Sequence, residues 1–154
     1  MNPVEVLAAL GGEWCGTNTL QDPHTHRPDP SPSVVAVSPV LGGRFVRLDY
    51  TWMYQNRPQE GSLLIGFDRN SGAVSAHWID SWHMDHAAMT CTGTVSGNVI
   101  SVRGTYAAPP GPDWGWRIDL SVEPAKLRLT MFNISPADLG GGEALAVEAV
   151  YRRA

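Results

Sequence analysis

Lysine is almost missing from this chain: Lys126 stands alone beside ten arginines. Charged residues of both signs make up only 17% of the 154 residues, and the formal net charge is -4. A chain so poor in cations offers no basic face to a phosphate backbone, which argues against nucleic acid as a partner. Cysteine is scarce too, with Cys15 and Cys91 alone. Neither a CxxC pair nor a Cys/His zinc spacing occurs, and two isolated thiols suit a reducing compartment. The Gly-x-Ser-x-Gly nucleophile elbow is absent. No apolar run nears the ~20 residues of a membrane helix. Residues 1–10, "MNPVEVLAAL", lack the basic start and long apolar stretch of a signal peptide. A cytoplasmic protein with no membrane partner is the expectation.

What the chain does have is a 43% hydrophobic fraction, with 16 glycines and 12 prolines as punctuation. That is enough apolar surface for one domain over residues 1–154. Residues 3–10 read as a short helix, with Pro3 in the first turn and Gly11-Gly12 as the stop. Almost everything after it alternates with period two. Strands are expected over residues 13–20, 33–41, 44–55, 60–67, 73–82, 86–95, 99–106, 114–123, 126–134 and 143–153. The proline-rich residues 21–32 are expected to form a loop. About ten strands joined by short turns make an all-β antiparallel meander. Closing it into a barrel removes both exposed edges, and a barrel of this size holds one small ligand at most.

Several stretches together resemble a known family. "LGGEWCGTNTL" (residues 10–20) places Gly-x-Trp at Gly12 and Trp14, straight after the helix, as lipocalin-like (calycin) barrels do. "LGGRF" (41–45), "EGSLLIGFDRNSG" (60–72), "WIDS" (78–81) and the terminal "VEAVYRR" (147–153) resemble the bacterial domain-of-unknown-function family 1579. The resemblance implies a lipocalin-like barrel and brings no settled activity. It also implies that Trp14 packs at the closed end under an arginine of the last strand, Arg152 or Arg153. Related nitrobindin-like barrels bind haem through a histidine on a late strand. The last three strands here contain none, so no haem or other cofactor is expected.

The densest chemistry is "AHWIDSWHMDH", residues 76–86. On an extended strand His77, Ile79 and Ser81 share one face, and Ala76, Trp78, Asp80 and Trp82 the other. Both faces are mixed, so parity alone does not orient them. Trp78, Asp80 and Trp82 are taken as inward. A buried carboxylate needs a partner, and Arg47, Arg103 and Arg117 are the candidates. His77 and His83 lie about 20 Å apart along a strand, too far to share an ion. A hairpin turn at "HMDH" leaves His83 and His86 as weak metal candidates and otherwise as rim residues; no native metal is expected. His24 and His26 sit in the proline-rich loop and read as solvated.

Three functions stay open. The favoured one is a binding protein that holds a small, partly apolar molecule in an aromatic-lined barrel cavity. Tyr50, Trp52, Trp78, Trp82 and Met131 would supply contact, and His77, Asp80 and Arg117 would orient the ligand. The second is a cavity enzyme, of isomerase, cyclase or hydratase type, using Asp80 with His77 or His83 as general acid and base. The third is an interaction module with a filled barrel, such as a homodimer.

Overall fold

The computed structural model describes residues 2–154. Helix α1, Pro3–Ala8, is capped by Asn2, whose side chain accepts from the Val4 and Glu5 amides. Ten strands follow: β1 Gly12–Gln21, β2 Pro28–Val40, β3 Phe45–Tyr54, β4 Arg57–Phe67, β5 Val74–Asp80, β6 Met84–Ser96, β7 Val99–Tyr106, β8 Trp114–Glu123, β9 Lys126–Ile134 and β10 Glu143–Arg153. Each pairs antiparallel with its chain neighbours, and β1 pairs with β10 to close the barrel. No helix among the described residues is long and apolar enough to cross a membrane.

Period-two alternation decides which side chains go inside. On β3, Val46, Leu48, Tyr50 and Trp52 are buried; on β5, Val74, Ala76, Trp78 and Asp80; on β8, Trp116, Ile118 and Leu120. The two-residue turn from β3 to β4 uses Gln55 and Asn56, both at positive φ, the pattern of a type I′ hairpin.

One end of the barrel is closed. Val4 and Leu7 of α1 are buried there, and Trp14 is 1% exposed. The Trp14 indole N–H donates to the Leu10 carbonyl at 2.9 Å. The Arg153 guanidinium lies 4.6 Å over the Trp14 ring and donates to the Gly11 carbonyl at 2.6 Å. Of the two arginines expected for that part, Arg153 takes it.

The wall is incomplete in two places. β2 pairs with β3 only from Val35 to Val40. The earlier residues 28–34 pair with β1 alone. So half of the stretch expected to be a proline-rich loop is strand. Val34 directs its N–H toward β3, onto the Thr51 hydroxyl. By alternation Pro28, Pro30 and Pro32 face the same way, where no ladder bond is required of them. Side chains bridge the split instead: Ser33 donates to the Thr51 carbonyl, and Ser31 accepts from the Met53 amide.

The second gap lies between β6 and β7, which pair only through Thr92–Arg103 and the rungs beyond it toward their shared turn. Beside it the β5–β6 ladder slips. Trp78 faces Met89 and Asp80 faces Met84, so β6 uses five residues where β5 uses two. This bulge lies at the end of β5 opposite α1, beside the barrel mouth.

Candidate functional site

The site is built on the last inward residues of β5. Gly61 on β4 sits between Tyr50 on β3 and Asp80 on β5. A Cβ on Gly61 would overlap the Tyr50 ring and hydroxyl. The bare glycine therefore lets Tyr50 lie across β4 and reach Asp80. The Tyr50 hydroxyl donates to Asp80 Oδ2 at 2.6 Å and accepts from the Trp78 indole N–H at 2.9 Å. Burial, and then the Asp80 charge, pushes the Tyr50 hydroxyl well above its ordinary pKa, so it stays a donor.

Asp80 Oδ1 accepts from the backbone amides of Trp82 and His83, at 2.9 and 3.0 Å. These are the contacts of an Asx turn. They tighten the turn at Ser81–His83 and tuck the His83 ring inward. Asp80 is 2% exposed. Its partners are a phenol and two amides. The expected arginine partners are all elsewhere: Arg47 pairs with Asp49, and Arg103 and Arg117 pair with Glu143.

Four tryptophans surround His83. Trp82 stands edge-on at 4.7 Å between ring centroids, Trp52 stacks at 5.7 Å, and Trp116 and Trp78 tilt at 5.4 and 5.7 Å. Trp78 and Trp116 stack on each other at 5.2 Å and 12°. Burial holds the His83 ring below the usual imidazole range, against a smaller opposite pull from Asp80. Among the described residues its ring nitrogens have no hydrogen-bond partner, and they are not sealed from solvent.

Beside this ring a cleft of about 380 Å³ opens at the barrel mouth. Trp78, Trp82, His83, Trp116 and Tyr106 form its aromatic walls, and Leu20, Met84, Met89 and Leu145 its aliphatic ones. Below it, Asn18, Tyr50, Trp52, Asp80, His83, Leu129 and Met131 enclose a gap with no room for a water molecule. The lower barrel is therefore filled. A larger concavity, about 1240 Å³, lies outside along the β2–β3 split. It is an open trough, and the converging aromatic rings are at the mouth.

The structure brings Tyr50, Trp52, Trp78, Asp80, Trp82 and Met131 together. Only Trp78 and Trp82 of these line the cleft; the other four form its floor. His77 and Arg117 fall on the outer face, one residue out of phase with Trp78 and Trp116. His77 is exposed, and its nearest polar contact is the Thr90 hydroxyl at 3.5 Å. Arg117 covers the Phe132 ring at 4.1 Å and pairs with Asp119 and Glu143. Neither can meet a ligand in the cleft. Asp80 and His77 lie on opposite faces and cannot act as an acid–base pair.

The two weak metal candidates, His83 and His86, are also divided. His83 points inward from the turn, whereas His86 is exposed on β6 against Asp85 at 2.7 Å. The turn lies at Ser81–His83, earlier than "HMDH" suggested, because Asp80 captures the amides that follow it. The sequence left His83 either at the rim or beside Asp80 in a catalytic cavity, and gave no sign of Met89, Tyr106 and Asn133 on the cleft wall. The Asp80 position, two and three residues ahead of those amides, was the available signal.

A closed antiparallel barrel, filled below and recessed among aromatic rings at one mouth, defines an up-and-down β-barrel protein. The chain belongs to the family described as a protein of unknown function (DUF1579), whose model matches residues 2–153. Comparison with curated proteins gives no match. The family carries no assigned activity, so function has to be argued from the site.

Proposed function

We propose that this protein binds a small, largely apolar molecule in the cleft at the barrel mouth. The observation that carries the proposal is the cleft itself: about 380 Å³, walled by three tryptophans, a tyrosine and a histidine. Such a recess has the size and lining of a small-ligand site. The filled interior below favours a shallow site at the mouth over a deep calyx. It also departs from a fully filled interaction module, because the recess remains. Two free thiols, Cys15 exposed and Cys91 buried, support a reducing, cytoplasmic setting.

The test is native mass spectrometry of the purified protein, followed by thermal-shift screening of small aromatic compounds. A carried ligand, or a compound that raises Tm, is expected. Trp82→Ala should abolish the shift, since Trp82 is only partly buried and its loss leaves the core in place. No carried mass and no stabilising compound would remove the proposal.

A further inference from the structure

The cleft also discriminates by charge. Its polar side chains are Gln21, His83, Tyr106 and Asn133, and among the described residues no Asp, Glu, Lys or Arg lines it. The Tyr106 hydroxyl donates to Asn133 Oδ1 at 2.6 Å. Arg103 and Arg117 stand on the outer face and are occupied by Glu143. Asp80 lies beneath the floor, in contact with the same gap as His83. A carboxylate entering the cleft would lose its water, meet no cation and face the Asp80 charge from above.

A pure hydrocarbon would satisfy the ring faces but strand His83. Among the described residues its ring nitrogens have no partner, and a ligand filling the cleft would take their water away. One uncharged hydrogen-bonding group on the ligand resolves that cost. Resting on the binding reading above, we infer that the cleft selects an uncharged, flat aromatic molecule bearing a hydroxyl or carbonyl against His83, and rejects aromatic carboxylates. Burial supports this by holding the His83 ring below its usual protonation range and the Tyr106 hydroxyl above its own.

Equilibrium dialysis at pH 7 with naphthalene, 2-naphthol and 2-naphthoate tests the inference, because the three probes share one ring system. 2-Naphthol should bind about 3- to 10-fold more tightly than naphthalene, the span of one neutral hydrogen bond. 2-Naphthoate should bind at least about tenfold more weakly than 2-naphthol. His83→Phe should bring the naphthol-to-naphthalene ratio to about one, and His83→Gln should retain part of it. Naphthoate binding as tightly as naphthol, or a ratio unchanged in His83→Phe, overturns this inference and leaves the binding reading standing. Failure of all three probes to bind overturns both.

Discussion

At the scale of single residues, Tyr50 joins the polar floor to the aromatic wall. Its hydroxyl serves Asp80 and Trp78 at once. Tyr50→Phe leaves a buried carboxylate oxygen and a buried indole N–H without partners. The expected loss is about 1.5–3 kcal/mol, the range for hydrogen bonds to charged groups, read from urea unfolding. His83 gives a pH dependence. Unfolded, its ring takes a proton near the ordinary value of about 6.5; folded, burial delays that step to lower pH. As pH falls below about 6.5 the unfolded chain binds more protons, so stability declines until the folded value is passed. His83→Phe should flatten the slope of unfolding free energy between pH 7 and pH 5. An unchanged slope would show that His83 is not its source. Three floor residues, Tyr50, Trp52 and Met131, were legible in the sequence as apolar positions on alternating strands. His77 and Arg117 were chosen for their chemistry against strand parity. His83 was illegible by parity, since a turn residue has no fixed face.

At the scale of elements, the β3–β4–β5 ribbon positions the site by leaving one side chain out. Gly61→Ala drives a methyl into the Tyr50 ring. Overpacking of this kind costs about 1–3 kcal/mol. Because it displaces Tyr50 from Asp80, it should also loosen the turn at Ser81–His83. Hydrogen exchange of the Trp82 and His83 amides checks this directly: faster exchange is expected in the variant, and parental protection would refute the link. Strand positions were readable from period-two runs, and β7 through β10 fall where the alternation put them. The bulge on β6 was not readable, because residues 83–86 read as the hairpin turn itself, whereas the turn closes earlier, at Ser81–His83. It arises from how Asp80 and Met84 pair across the turn.

At the scale of the whole molecule, barrel closure was predictable from strand count, but the two gaps in the wall were not. Gaps of this kind matter in a crowded solution. An unpaired strand edge is a template on which another chain can build. Along the β2–β3 split, the template is blank at alternate positions, because Pro28, Pro30 and Pro32 bring nitrogens with no hydrogen to donate. Replacing Pro30 and Pro32 with valine restores the donors and adds β-propensity. Size-exclusion chromatography of that double variant should show larger species than the parent, growing with concentration and time; an identical profile would refute the idea. The prolines that first read as a loop thus leave alternate positions of the seam beside β2 without a hydrogen to offer an incoming strand.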